Sequence, residues 1–247
     1  MKIRVAHLYG DYLNIYADRG NIAVLSGRAQ ARGHELEART ISIGDQIPAA
    51  ADVDLLYIGG GQDREQALVA VDLAAKGPAL RNAVDEGVAF LAVCGGYQLL
   101  GGYYRDRAGI ELPGIGVLPV HTIAGERRMI GDVLLDCAWA GQTLAGFENH
   151  AGRTYLEEGA EPLGRVIAGF GNDGESGYEG CRRLRAYGTY LHGPLLPRNG
   201  WFADRLLEDA LAHATGEPHQ LAPLPDELES EAHAVSADRA RRRGGRF

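Results

Sequence analysis

Apolar positions in the first hundred residues fall into short continuous runs separated by stretches of helical spacing. Ile3 to Leu8 reads as a first strand. Asn21 to Arg32 carries helical periodicity and stops at Gly33, and Glu35 to Ser42 alternates like a second strand. Val53 to Ile58 is a third apolar run, broken by Gly59-Gly60-Gly61. Two helices are predicted next, over 64–76 and 78–86, the second opening with Pro78 at its first position. Val88 to Val93 is an unbroken apolar run, as expected of a strand buried on both faces. It turns through Gly95 and Gly96 into a short helical pattern, Tyr97 to Leu100. Strands alternating with helices predict right-handed crossovers and an α/β fold with a mostly parallel sheet flanked by helices.

After Gly101 the segments shorten and glycines multiply, as in Gly131 to Asp136 and the stretch from Arg153. That texture predicts hairpins and an antiparallel extension of the sheet. Tyr187 to Leu191 is a late strand, and Trp201 to Ala214 an amphipathic closing helix. Beyond 216 the composition turns to Pro, Glu and Ala, then to an arginine cluster from Arg239. We therefore expect one domain over 1–216 and a mobile or partner-contacting tail over 217–247.

Composition narrows the functional classes. The formal net charge of −8 gives no electrostatic case for nucleic acid. No run approaches a membrane span, and the start lacks the long apolar stretch of a signal peptide, so a reducing cytoplasm is expected. Three cysteines, Cys94, Cys137 and Cys181, lie far apart without a Cys-x-x-Cys, so neither a metal site nor a disulfide framework is expected. The Gly59-Gly60-Gly61 turn lacks the Gly-Lys-[Ser/Thr] of a phosphate loop, and nothing else in the chain resembles an ATP site.

Cys94 carries the chemistry. It stands at the seam between a buried strand and a helix, where helix amides and the helix dipole favour a thiolate. The alternative for such a residue is an inert core thiol. His192 ends another apolar strand just before a Gly-Pro turn. Parallel strands place their carboxyl ends on one edge, so the two side chains could meet there for nucleophilic chemistry. An attacked carbonyl also needs preorganised N–H donors. Gly95, after the nucleophile, offers one, and Gly60 is the candidate for the other.

These motifs together resemble a known family. Val93-Cys-Gly-Gly-Tyr-Gln-Leu-Leu-Gly101, the upstream Gly-Gly-Gly-Gln-Asp63 and Leu191-His-Gly-Pro-Leu-Leu-Pro197 resemble the class I glutamine amidotransferases of the cobyric-acid-synthase type. The opening Leu8-Tyr-Gly-Asp-Tyr-Leu-Asn-Ile-Tyr-Ala-Asp-Arg-Gly-Asn21 narrows the match. So do Arg128-Met-Ile-Gly-Asp132 and Gly146-Phe-Glu-Asn-His-Ala-Gly-Arg-Thr154. With these the chain resembles the glutaminase subunits that work with MurT, a Mur-ligase-type partner, in amidating lipid II. The resemblance spans roughly Ile3 to Ala214 and implies a flavodoxin-like fold. It implies that Cys94 attacks the amide of L-glutamine to give a thioester and ammonia. His192 would act as general base and acid, and Arg128 would hold the substrate. ATP and magnesium would sit on the partner only, where ammonia converts the D-glutamate of the stem peptide to D-isoglutamine.

Two departures from the wider class stand out. The class places Glu two residues after the histidine, where this chain has Pro194, so a Cys–His dyad is expected. The residue before the nucleophile is Val93, not Gly. Glu148, Asn149 and His150 are candidates for lining the pocket or for a structural turn. Asp18, Arg19 and Asn21 are candidates for capping the first helix. The competing readings are an amidotransferase subunit for another synthetase, such as a corrinoid amidase, and a non-catalytic protein on the same fold.

Overall fold

The structure, a computed structural model, describes residues 1–14 and 19–243. Its first sheet is built from β1 (Lys2–Leu8), β2 (Glu35–Ile41), β3 (Leu55–Ile58) and β4 (Ala89–Val93), and two late strands described below complete it. Crossover helices α1 (Arg19–Gln30) and α2 (Asp63–Asp85) connect the strands, and α3 (Gly95–Leu100) follows β4. The second sheet holds β5 (Tyr103–Arg105), β6 (Glu111–Pro113), β7 (Val120–Cys137), β8 (Gln142–Leu156), β9 (Gly164–Ala168) and β10 (Tyr178–Glu179). The chain then returns to the first sheet through β11 (Cys181–Arg183) and β12 (Ala186–Thr189), and ends in α4 (Gly200–Thr215) and α5 (Glu227–Arg243).

The first sheet runs β11-β12-β4-β3-β1-β2, with every pair parallel except β11–β12. That is the doubly wound, flavodoxin-like order, in which all parallel strands deliver their carboxyl ends to one edge. β3, β4 and β12 are buried along their whole length, which is why their sequences read as continuous apolar runs, whereas β2 is an exposed edge.

Four expectations need correction. The helices predicted over 64–76 and 78–86 are one 23-residue helix, α2, with Pro78 inside it. Pro normally clashes with the Cβ of the residue before it, and here that residue is Gly77, which has none. The antiparallel region is not a simple extension of the parallel sheet. Only β11 extends it, while the long β7–β8 hairpin organises a second six-stranded sheet.

Residues 227–243, part of the segment expected as a mobile or partner-contacting tail, form α5. Its Ala237 and Ala240 pack on Leu134, Ala145 and Ala168 of the second sheet, and Arg239 pairs with Asp132 on β7. His233 anchors the same helix, bonding to Thr143 at 2.8 Å and to the Arg198 carbonyl at 3.0 Å. Only two small apolar positions do the packing, so composition alone gave no sign of it.

Asn21 is not a helix cap. It is fully buried, donates to the Tyr57 hydroxyl at 3.0 Å and accepts the Leu196 N–H at 2.9 Å, bracing the chain just after His192. At the start of α1, Asn14 accepts the Arg19 N–H at 3.0 Å, while Asp18 lies outside the described residues.

Candidate active site

The turn after β4 holds Cys94 at φ 52° and ψ −111°, a backbone conformation that side-chain-bearing residues rarely adopt. Such a conformation costs about 1–3 kcal/mol and persists only where its surroundings enforce it. Here the Cys94 N–H donates to Thr189 O at 2.8 Å, the last residue of β12, and its carbonyl accepts the Gln98 N–H at 3.1 Å. The strained strand–turn–helix lifts the side chain off the sheet edge, as in a nucleophile elbow. Cys94 lines a cavity of about 430 Å³ together with Gly61, Gln66, Gln98, Arg128 and His150, among others. Cys137 and Cys181 are sealed in the interior, where burial pushes each thiol up to about 12. Of the three, Cys94 alone faces the cavity.

Gly95 and Gly96 are dictated by close packing. A Cβ on Gly95 would overlap the Gln66 amide and stand 3.1 Å from Gly61 N. One on Gly96 would stand 2.8 Å from Gly59 O, to which its N–H donates at 3.2 Å. The first turn of α3 is thereby pressed against the Gly59-Gly60-Gly61 loop, with both glycine segments beside the thiol. Gly60 and Gly95 are buried, and Gly61 rather than Gly60 reaches the cavity wall.

Arg128 is placed by an irregularity of the hairpin. Ala124 pairs with Gly152 and Met129 with His150, so residues 125–128 bulge opposite the single Ala151. A bulge re-aims side chains, and this one directs Arg128 to the cavity rim. Arg107 braces it by donating to Gly125 O at 3.0 Å and Glu126 O at 2.9 Å. Arg128 itself donates to Asn149 through Nε at 2.9 Å and Nη2 at 3.1 Å.

His192 is fully buried in the loop after β12, and its N–H donates to Phe147 O of β8 at 3.0 Å. Burial pushes its ring down to about 4, with His150 and Arg128 adding to the effect, so the imidazole is neutral at neutral pH. A neutral ring can accept a proton. Glu148, beside it on β8, accepts the Phe170 and Gly171 N–H groups at 2.6 and 2.9 Å, and its Oε2 stands 3.7 Å from His150 Nε2. His150 stacks on Tyr190 with centroids 3.5 Å apart and bonds to Gly152 O through Nδ1 at 2.7 Å.

Cys94 and Arg128 therefore share one cavity. His192 does not line it, but lies within electrostatic reach of Arg128 and His150, which do.

Residues 4–200 match the CobB/CobQ-like glutamine amidotransferase domain. The chain belongs to that family. It is 38% identical over 231 residues to lipid II isoglutaminyl synthase (glutamine-hydrolysing) subunit GatD of Streptococcus pneumoniae, covering 93% of this chain and 88% of that one. It is 39% identical over 241 residues to the protein of the same name from Staphylococcus aureus, covering 98% and 97%. Among solved structures, PurLQS from Thermotoga maritima superposes with a TM-score of 0.59 at 15% identity, covering 87% of this chain and 99% of that one. That last likeness concerns the fold alone.

Within this CobB/CobQ-like site, sequence reasoning passed over a buried relay. Gln66 Nε2 donates to Gln98 Oε1 at 2.9 Å, and Gln98 Nε2 donates to the Tyr190 hydroxyl at 3.0 Å. Tyr190 meets Thr154 at 2.6 Å, and Thr154 meets Thr122 at 2.7 Å. Gln98 had a signal: it stands four positions after Cys94, one turn along the same helix. Gln66 had none, being a polar residue in an unremarkable helical stretch.

Proposed function

We propose that this chain is the glutamine-hydrolysing subunit of a two-subunit amide-forming ligase, with Cys94 as its nucleophile. The observation that carries the reading is the Cys94 thiol, set on a positive-φ elbow in the wall of a cavity whose rim carries Arg128. Glutamine enters with its α-carboxylate toward the Arg128 guanidinium, which suits a planar anion. The thiol proton passes to the neutral His192 ring as Sγ bonds to the amide carbon. The resulting oxyanion is met by the Gly95 and Gly60 amides. The C–N bond then breaks, His192 returns the proton to the departing ammonia, and a thioester remains. Water activated by the same ring adds to the thioester and releases glutamate.

The relatives' names support the acceptor in this reading. Two full-length relatives carry the lipid II isoglutaminyl synthase name. On this reading ammonia goes to a MurT-like, ATP-dependent Mur ligase subunit, in the cytoplasm, for amidation of the lipid II stem peptide. Among the described residues no helix is long and apolar enough to cross a membrane.

The test is glutamate release from L-glutamine, measured with and without the ligase subunit. Cys94→Ser should abolish it, and His192→Ala should lower kcat by at least about 100-fold. Undiminished turnover in Cys94→Ser would overturn the mechanism.

A further inference from the structure

Gln66 sits in the first turn of α2, only 2% exposed, in the wall of the cavity that holds Cys94. Its Nε2 is committed, donating to Gln98 Oε1 at 2.9 Å with Gly61 O at 3.4 Å as a second acceptor. Those two bonds fix which end of the amide is oxygen and which is nitrogen. The oxygen, Oε1, is buried and has no hydrogen-bond partner among the described residues. A buried acceptor left this way costs free energy unless something supplies a donor. The Gln66 amide also lies over Gly95, with Nε2 and Cδ nearest and Oε1 on the same planar group, so this amide is beside the reacting centre rather than at the rim with Arg128.

We propose that Gln66 is the residue that distinguishes glutamine from glutamate, its Oε1 accepting an N–H of the substrate carboxamide. This rests on the glutaminase reading. With the substrate carbonyl oxygen turned to the Gly95 amide, the carboxamide nitrogen is the adjoining group, and it carries two donors. The product glutamate presents carboxylate oxygens there instead. Acceptor then faces acceptor, and the product is repelled while the substrate is held. A site built to receive a substrate N–H rejects the analogue that lacks it, because its own polar group is left unpaired. Gln98 is already engaged at both ends, its oxygen by Gln66 and its nitrogen by Tyr190, whereas the Gln66 oxygen is not.

The test uses the full chain with Cys94→Ser, which binds without turnover, titrated calorimetrically with L-glutamine and with L-glutamate. The quantity read is the ratio of the two dissociation constants, glutamate over glutamine. Adding Gln66→Met, which keeps the length but removes the acceptor, should lower that ratio at least about tenfold, chiefly by weakening glutamine. Adding Gln66→Glu, which keeps acceptor oxygens and adds charge, should leave the ratio at or above its starting value. Opposite behaviour in the two variants cannot come from general damage to the fold. Proportional weakening of both ligands in both variants would overturn the proposal, because groups common to the two amino acids, such as the α-ammonium, would then be what Gln66 touches. An unchanged ratio in Gln66→Met would overturn it as well. If the Cys94→Ser chain binds neither amino acid, the glutaminase reading itself fails, a result distinct from either.

Discussion

The contact between the two glycine segments can be broken with one methyl group. In Gly96→Ala the new Cβ would stand 2.8 Å from Gly59 O and from Ile58 Cγ2, and 2.9 Å from Ile58 O. Two of these are backbone atoms, which cannot rotate away. Relaxed contact begins near 3.5 Å, so α3 and the Gly59-Gly60-Gly61 loop must part by about 0.6 Å. The Gly96 N–H to Gly59 O bond is already 3.2 Å long, and that displacement removes it. Overpacking costs about 1–3 kcal/mol and the lost bond about 1 kcal/mol more, a sum of about 2–4 kcal/mol. Because both proposed oxyanion donors move, kcat/KM should fall by up to about 100-fold. Gly27→Ala is the matched control: a Cβ there meets nothing within 4 Å on an exposed stretch of α1. It should raise stability by about 0.5–1 kcal/mol and leave turnover alone. Urea denaturation read by circular dichroism, with glutamate release as the activity, separates the two. A Gly96→Ala protein with the unfolding midpoint and kcat/KM of the parent would refute the packing argument.

Two further outcomes follow from buried charge. Arg28, 5% exposed, makes paired hydrogen bonds of 2.7–2.8 Å to both Asp204 and Asp226, tying α1 to α4 and to the segment leading into α5. Arg28→Met leaves Asp226 without this partner, while Asp204 keeps Arg32 at 2.7 Å, and should cost about 2 kcal/mol in urea denaturation; a loss under about 0.5 kcal/mol would show the contacts to be dispensable. The pH profile of stability should have two limbs with separable origins. Burial holds the His7 and His192 rings down at about 4, against 6.5 in the unfolded chain, so below pH 6.5 only the unfolded chain binds those protons. Stability therefore falls on acidification by up to about 1.4 kcal/mol per pH unit for each histidine, down to about pH 4. Burial raises the Glu179 carboxyl to about 8 from 4.5, which acts in the other direction: its contribution is full below pH 4.5 and is lost as pH rises toward 8. His7→Phe should flatten the acid limb and Glu179→Gln the alkaline limb, as read from urea midpoints between pH 4 and 9. Unchanged limbs would refute the assignment.

Much of the first sheet was legible because its strands are buried on both faces and so leave unbroken apolar runs. β3 and β4 are of this kind, and the turn after each carries the glycines that the site uses. The candidate nucleophile was legible for the same reason, since a cysteine at the end of such a run has few places to be. The second sheet was less so. β7 and β8 alternate between exposed and buried positions with a bulge between them, and nothing in a sequence says which sheet a hairpin joins. Pro78 misled because a proline usually ends a helix, and the permissive Gly77 before it carries no periodic signal. Gln66 and Asn21 were beyond reach. Each is a polar side chain whose role is set by a partner 32 or more positions away, and propensity records nothing of such contacts.

The division of labour between the sheets bears on how this chain manages without the carboxylate that Pro194 replaces. The thiol and both glycine segments belong to the parallel sheet, whereas Arg128, Asn149, His150 and Gly152 of the cavity wall belong to the β7–β8 hairpin. Several of the bonds that join the two bodies lie on either side of His192. Tyr190 reaches Thr154 at 2.6 Å, the His192 N–H reaches Phe147 O at 3.0 Å, and Asn199 brackets Ala145 at 2.8 and 3.0 Å. Asn21 ties the same loop to α1 at Leu196. The loop carrying the proposed base is thus clamped from both sides along its backbone, and the ring is wedged edge-on against Phe147 at 6.0 Å. In a triad, a carboxylate orients the imidazole through its side chain and stabilises the imidazolium that forms. Clamping supplies the first of those services. Burial pushes the His192 ring down to about 4, so the ring rests neutral and ready to accept a proton. On the proposed mechanism the neutral ring takes the thiol proton only as attack begins, so proton transfer and attack on glutamine are linked, and the Cys94 thiol should gain little nucleophilicity until substrate fills the cavity.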